Sequence, residues 1–190
     1  MQANPKIIVL EGQDRAGKST IASSLSAMLP KSINTYEPFF LTKYDRKHTE
    51  AFFQDRQDHI MYLQDLISKR KIDYIIVDRY IDSFFAYEKK IQIDSKEFKY
   101  WYDRHYELEY LFADYTFLIK RNFSTDGIEM PDENDIDEEL QSQVLSRYEK
   151  LKNKKVFWRN NMIEIVNSNM NDTIESIYNM ITAPYLTSVG

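Results

Sequence analysis

Eight consecutive residues near the beginning of the chain have the types and spacing of a loop that binds a polyphosphate. The run from Gly12 to Ser19 reads GQDRAGKS and fits the pattern G-x-x-x-x-G-K-[ST]. Glycine lets backbone N–H groups approach phosphate oxygens, the Lys18 ammonium can reach the β- and γ-phosphates, and the Ser19 hydroxyl can bind Mg²⁺. Because typical residue frequencies produce this pattern by chance in under about 1% of chains of this length, it predicts a nucleoside triphosphate site.

The residues on either side of this loop predict the strand and the helix that such a site requires. Lys6–Glu11, KIIVLE, is a β-branched run typical of a buried strand. After Gly17 the apolar residues recur at helical spacing, at Ile21, Leu25 and Leu29. A helix that begins there points its positive end at the bound phosphates.

The loop alone leaves GTPases, motors, ABC-type ATPases and kinases open as classes. GTPases carry a guanine-binding N-K-x-D motif after a later strand, whereas this chain reads KRN after Ile119. The sequence therefore argues against a GTPase.

Three later runs predict further strands: Tyr74–Asp78, Tyr115–Ile119 and Met162–Val166. Helical stretches lie before the first run, around 139–152 and around 172–181. Strands that alternate with helices predict an α/β fold with a parallel sheet covered on both faces. With no internal repeat and no linker rich in Pro, Gly or Ser, we expect one domain over residues 1–190.

Composition excludes several other classes of site and partner. The 190 residues include no cysteine, which excludes disulfides, thiolate metal sites and cysteine nucleophiles. The three histidines are not at close metal-ligand spacing, so a metal would need oxygen ligands. A formal net charge of -5 argues against a protein whose main function is to bind the phosphate backbone of DNA or RNA. No apolar run approaches the roughly 18 residues of a membrane span, so we expect a protein of the cytoplasm, or of a host cell's cytoplasm, with no membrane partner.

The motif that follows the strand at 74–78 resembles a signature of the thymidylate kinases. Asp78-Arg79-Tyr80, followed by Ser83, Ala86 and Tyr87, is similar to that family's DRY-x-x-S-x-x-A-[YF]. The resemblance continues in order along the chain, at Glu37-Pro38, Ala51–Tyr80, Arg147–Leu151 and Trp158–Asn167. It implies a three-layer P-loop kinase fold with a five-stranded parallel sheet of order 2-3-1-4-5, a lid at about 121–139 and a homodimer. The implied reaction is phosphorylation of dTMP to dTDP by ATP with Mg²⁺.

The resemblance also implies four sets of site residues. The ATP-binding residues are Gly12, Gln13, Asp14, Arg15, Ala16, Gly17, Lys18, Ser19, Thr20 and Asn167. The Mg²⁺ ligands are Ser19 and Asp78. The acceptor-binding residues are Asp14, Glu37, Pro38, Phe52, Arg56, Arg79, Ser83, Phe84 and Tyr87, and the catalytic residues are Arg15, Lys18, Asp78 and Arg79.

By the same resemblance, five of the acceptor residues have a chemical task. The planar fork of Arg79 would pair with the acceptor phosphate. Phe52 would stack on the base and Arg56, four residues later on the same helical face, would bind its edge. Asp14 would accept from the 3'-hydroxyl, and Tyr87 would disfavour a ribose 2'-hydroxyl. The alternatives are that Phe52 is an ordinary core residue and that Asp78 only caps the next turn.

Arg15 is the candidate for the cation that stabilises the phosphoryl group in transfer, a role worth about 10³ to 10⁵ in rate in related systems. In the family that the chain resembles, this arginine comes either from the phosphate loop or from the lid. The segment Asp126–Glu139 has eight acidic residues and no basic one, and reads as a mobile, solvated loop. With Arg121 as the cation near its start, the chain resembles the type with the arginine in the phosphate loop.

Two departures from the family pattern bear on the acceptor. The stretch from Pro38 to Phe52 is short and no arginine follows Glu37-Pro38, so Lys43 and Arg46 are candidates for a second phosphate-binding cation. Phe84 stands where family members commonly have a small or polar residue. The alternatives are a kinase for another or modified pyrimidine deoxynucleotide or for a deoxynucleoside, and a non-catalytic nucleotide-binding module.

Overall fold

The computed structural model describes residues 4–36, 49–69, 71–108, 111–121 and 137–183. The strands in this part are β1 (Lys6–Glu11), β2 (Ser32–Tyr36), β3 (Tyr74–Asp78), β4 (Tyr115–Arg121) and β5 (Ile163–Asn167). The helices are α1 (Lys18–Met28), α2 (Thr49–Lys69), α3 (Ile81–Tyr87), α4 (Lys96–Tyr106), α5 (Glu138–Lys152) and α6 (Met170–Thr182). No helix among these residues is long and apolar enough to cross a membrane.

The strands form one parallel sheet of order β2-β3-β1-β4-β5, which confirms the expected order. Successive side chains of the central strand β1 point to opposite faces. Ile7 and Val9 pack into the core beneath α2 to α5, whereas Ile8 and Leu10 pack into the core beneath α1 and α6. Because both faces of β1 are covered, the fold has the three layers that were predicted.

The boundaries of β1 and β3 agree with the prediction, whereas those of β4 and β5 differ by one or two residues. β1 and β3 begin and end where the apolar runs do, β4 extends two residues further to Arg121, and β5 lies one residue later than expected. β2, SINTY, was not indicated by its composition. Among the described strands it lies at the edge of the sheet and pairs with β3 alone, where a strand with several polar residues is sufficient.

The strand order determines which residues meet at the carboxyl edge of the sheet. β1 lies between β3 and β4, and Leu10 of β1 is in register with Asp78 of β3. The loop after β1 therefore lies beside the end of β3, where a parallel sheet presents its ligand-binding residues.

Candidate active site

The phosphate loop connects β1 to α1, and its backbone requires glycine at both ends. Gly12 has φ of 136°, and a Cβ there would lie 2.2 Å from the carbonyl oxygen of Ile119. Gly17 has φ of 87° and is the N-cap of α1, where it provides no side chain to cover the first N–H groups of the helix. Since those groups have no partner within a helix, they form a natural anion site facing the loop.

Lys18 lies inside this loop. Its side chain is buried, and Nζ donates to the carbonyl of Gln13 at 2.6 Å. Burial lowers the pKa of the Lys18 ammonium to about 8, and the Arg79 charge contributes to the decrease. A bound polyphosphate would oppose both effects because it brings negative charge to the ammonium.

Ser19 and Asp78, the two expected Mg²⁺ ligands, are in direct contact. The Ser19 hydroxyl donates to Oδ2 of Asp78 at 2.5 Å. The other oxygen, Oδ1 of Asp78, is buried and has no hydrogen-bond partner among the described residues. A hydroxyl beside a carboxylate with a free lone pair suits Mg²⁺, which prefers oxygen ligands.

Arg79 reaches from the end of β3 back across the phosphate loop. Its Nη2 forms an ion pair with Oδ1 of Asp14, and its guanidinium lies 4.4 Å from the centre of the Tyr87 ring. The side chain is 10% exposed, compared with 50% for Asp14. Arg79 has φ of 71°, a left-handed conformation that costs about 1 to 2 kcal/mol for a residue with a Cβ. The contacts around the arginine must offset this cost.

Asp14 is the point at which several elements of the site meet. Oδ1 also accepts from the hydroxyl of Tyr87 at 3.1 Å, while Oδ2 accepts from Nε2 of Gln141 at 2.9 Å. The Asp14 N–H donates to Oε1 of Gln141 at 2.8 Å. Burial raises the pKa of the Tyr87 hydroxyl above its ordinary range, so this group stays a donor at neutral pH.

Phe52 and Arg56 share one face of α2, as their spacing predicted. The Arg56 guanidinium carbon lies 5.4 Å from the centre of the Phe52 ring, and both side chains are buried. Phe84 of α3 meets Phe52 edge-on, with ring centres 5.1 Å apart. Phe84 is fully buried and also packs against Phe53, Phe85, Trp101 and His105.

Other predicted residues hold the backbone around the site. The hydroxyl of Ser83 is fully buried and donates to the carbonyl of Tyr80 at 2.7 Å, within the first turn of α3. Asn167 lies behind the phosphate loop, where Nδ2 donates to the Ala16 carbonyl at 2.9 Å. Arg15 and Thr20 are exposed.

Some predicted positions lie outside the described residues. They are Glu37, Pro38, Lys43, Arg46 and residues 122–136 of the expected lid. Their roles stay predictions, as do the substrate contacts expected of the residues described above.

Comparison with known proteins agrees with this geometry. No protein-family model matches the chain. The curated "Probable thymidylate kinase" of Sulfurisphaera tokodaii is 33% identical over 106 residues, which is 48% of this chain and 54% of that protein. The "Thymidylate kinase" of Brachyspira hyodysenteriae is 33% identical over 139 residues, 63% of this chain and 65% of that protein. The chain thus spans between half and two thirds of the length of these two relatives.

Over these stretches the chain is therefore similar in sequence to curated thymidylate kinases. Its fold is also that of solved thymidylate kinases. The enzyme from Candida albicans has a TM-score of 0.70 at 20% identity, covering 95% of this chain and 92% of that one. The enzyme from Ehrlichia chaffeensis has a TM-score of 0.68 at 19% identity, covering 94% of this chain and 100% of that one.

Three residues of this candidate site were not found from the sequence: Glu11, Gln141 and Tyr148. Glu11 ends β1 and is fully buried, and burial raises the pKa of its carboxyl to about 7, with the Asp82 charge adding to the increase. Gln141 and Tyr148 belong to α5, seven residues apart, so they lie on one helical face. Their spacing is the one sign in the sequence that these two residues share a helical face. The sequence does not show that this face contacts the phosphate loop, because the loop lies more than a hundred residues earlier in the chain.

Proposed function

We propose that the chain is an ATP:dTMP phosphotransferase. The observation that carries this proposal is the pair of contacts that join the phosphate loop to the end of β3: Ser19 with Asp78 and Asp14 with Arg79. The loop side has groups suited to a nucleoside triphosphate, and the β3 side has an arginine suited to a phosphate monoester. Donor and acceptor groups that touch one another support direct phosphoryl transfer between two nucleotides.

In the proposed reaction, an oxygen of the dTMP phosphate bonds to the γ-phosphorus of ATP while the bond from that phosphorus to the β,γ-bridging oxygen breaks. ADP leaves with the electron pair. The attacking phosphate oxygen is already anionic at neutral pH, so no side chain is required as a general base. Lys18 would offset the charge on the β- and γ-oxygens, Arg79 would orient the acceptor, and Arg15 would stabilise the group in transfer.

When bound, Mg²⁺ neutralises charge on the β- and γ-phosphate oxygens. Ser19 and the free oxygen of Asp78 would hold it. Among the described residues there is no group of three His, Cys, Asp or Glu side chains that could hold a metal. We therefore expect phosphate and water oxygens to complete the coordination, which is usual for Mg²⁺ in kinase sites.

The base-binding part of the proposal rests on Phe52, Arg56 and Phe84. A ring stacked on the base gives affinity with little choice among bases. Arg56 can only donate, so it suits the O4 acceptor of thymine or uracil and opposes the N4 amino group of cytosine. Phe84, packed against the edge of Phe52, would close the pocket by shape. We expect a strong preference for dTMP over dCMP and a modest one over dUMP.

A panel of acceptors tests the proposal. Purified protein with ATP and Mg²⁺ is assayed for ADP production with dTMP, dUMP, dCMP, UMP, a purine deoxynucleotide and thymidine, with Lys18→Ala protein as the background. We expect dTMP to be best, dCMP to be at least about a hundredfold poorer, and UMP to be poorer than dUMP because of Tyr87. A best acceptor other than dTMP contradicts the thymidylate assignment. Thymidine as the best acceptor indicates a deoxynucleoside kinase, and no ADP with any acceptor indicates a non-catalytic module.

We also propose a homodimer, with ATP and dTMP as small-molecule ligands and no nucleic acid partner. Met61 and Tyr62 of α2, 60% and 50% exposed, are large apolar side chains that such an interface could cover. Light scattering after size exclusion tests the assembly, and a monomer at all concentrations would reject it.

We further propose that the enzyme acts in the cytoplasm, because its proposed substrates are nucleotides of that compartment.

A further inference from the structure

Glu11 is a buried carboxylate that joins three distant segments of the chain. Its Oε1 accepts from the Tyr80 N–H at 2.8 Å, and its Oε2 accepts from the Tyr148 hydroxyl at 2.7 Å. Burying a carboxylate is unfavourable unless its oxygens are hydrogen-bonded. These two bonds satisfy that requirement, and they connect the end of β1 to the turn after β3 and to α5.

The turn after β3 contains Arg79, whose backbone is in the left-handed region with φ of 71°. A long side chain holds this conformation only where its surroundings fix it. The N–H of Arg79 donates to the Leu10 carbonyl at 2.9 Å, and the next N–H, that of Tyr80, donates to Glu11. The last two residues of β1 therefore hold the peptide groups on both sides of the Arg79 Cα.

We infer that Glu11 is a positioning residue for Arg79. Its carboxylate fixes the left-handed turn that directs the guanidinium toward the acceptor phosphate, and Tyr148 of α5 fixes the carboxylate. This inference rests on the proposed function, in which Arg79 binds that phosphate. Glu11 acts through the arginine and does not itself touch the reacting atoms.

Glu11 could position Arg79 either through its hydrogen bonds or through its negative charge, and the groups around it distinguish the two. Arg79 and Asp82 face it from the end of β3 and from α3, Lys18 faces it from α1, and the Tyr148 hydroxyl faces it from α5. Because its pKa is about 7, the carboxyl is partly protonated at neutral pH. Either form leaves an oxygen that accepts from the Tyr80 N–H, so positioning depends on this acceptor and not on the charge.

Three variants of the full-length protein test the inference. Glu11→Gln keeps an acceptor for Tyr80 and an amide that can donate to the Tyr148 oxygen, Glu11→Ala removes both contacts, and Tyr148→Phe removes one hydroxyl. We expect the KM for dTMP to rise about tenfold in Glu11→Ala and about threefold in Tyr148→Phe, as for a misplaced phosphate-binding group. Glu11→Gln should stay within about twofold of wild type, and the KM for ATP should change little in all three. If Glu11→Ala does not fold, Tyr148→Phe carries the test.

Ser95→Ala is the control for a purely structural loss. It removes the N-cap of α4, where the Ser95 hydroxyl accepts from the Phe98 N–H at 3.0 Å, and should lower the melting temperature without changing either KM. Tyr148→Phe protein with a wild-type KM and calorimetric Kd for dTMP would overturn the inference, as would an equal rise in the KM for ATP. Wild-type protein that does not phosphorylate dTMP would instead reject the proposed function. The same comparison is then made with the acceptor that the panel identifies.

Discussion

Replacing Glu11 by Gln should change how the stability of the protein depends on pH. In the folded protein, burial and the nearby Asp82 charge raise the pKa of the Glu11 carboxyl from 4.5 to about 7. In the unfolded chain the carboxyl is in water and has its ordinary pKa. Glutamine fills nearly the same volume, keeps an oxygen for the Tyr80 N–H and does not titrate. The variant therefore has no titrating group at this position but keeps the hydrogen bond with the Tyr80 N–H.

The direction in which the free energy of unfolding changes with pH follows from the number of protons bound in each state. Between the two pKa values the folded protein binds more protons than the unfolded chain, so this group stabilises the fold below pH 4.5 and the stabilisation is lost as the pH rises through about 7. For that shift, the linkage relation gives a loss of about 2.5 kcal/mol between pH 5 and pH 8. The free energy of unfolding of wild type minus that of Glu11→Gln should decrease by this amount over the same interval.

Urea unfolding of both proteins at pH 5, 6, 7 and 8 measures this difference, in which the other titrating groups cancel. Tyr148→Phe is an informative second variant. Its hydroxyl donates to the carboxylate and lowers the Glu11 pKa, so removing it should move the inflection to higher pH. Glu97→Gln, at an exposed position of α4, controls for the removal of a carboxylate. A wild-type minus Glu11→Gln difference that stays constant within about 0.5 kcal/mol from pH 5 to pH 8 would refute the reasoning.

Three further predictions concern the phosphate loop. Lys18→Ala should nearly abolish turnover with a normal melting curve, because the loop backbone and not the ammonium sets its shape; ADP production within a few-fold of wild type would contradict the assignment. Arg15→Ala should lower kcat at least about a hundredfold with a much smaller effect on KM, and an equal loss from Arg121→Ala with a mild effect of Arg15→Ala would move the catalytic cation to the lid. Gly12→Ala should lower the melting temperature much more than Gly17→Ala, because the added Cβ meets the Ile119 carbonyl in the first case but side-chain atoms of Met170 and Asn167 in the second; similar melting temperatures would contradict this.

The sequence predicted the parts of the fold and site that depend on neighbours along the chain. The central strands are buried on both faces, so their composition alone indicates them. The contact of Lys18 with the Gln13 carbonyl follows from a loop of eight residues that has glycine at two of its positions. The Phe52 and Arg56 pair follows from the period of a helix. In each case local geometry leaves few alternatives.

The parts that the sequence did not predict depend on contacts between distant segments. β2 is an edge strand of mixed composition, and its position is set by the backbone of β3. Gln141 and Tyr148 read as ordinary residues of an amphipathic helix, because nothing near them in the chain shows that α5 passes beside the phosphate loop. Phe84 was expected at the edge of the base, and the structure shows what the motif could not, a fully buried ring supported by four others behind Phe52.

The role of α5 shows why such contacts matter for the proposed reaction. Gln141 holds the Asp14 carboxylate, Tyr148 holds Glu11, and Arg147 donates to the carbonyls of Phe85 and Glu88 at the end of α3. One helix thus contacts the donor loop, the residue beneath the acceptor arginine and the helix that carries Tyr87. A helix that bonds to all three constrains their relative positions, and phosphoryl transfer depends chiefly on such positioning.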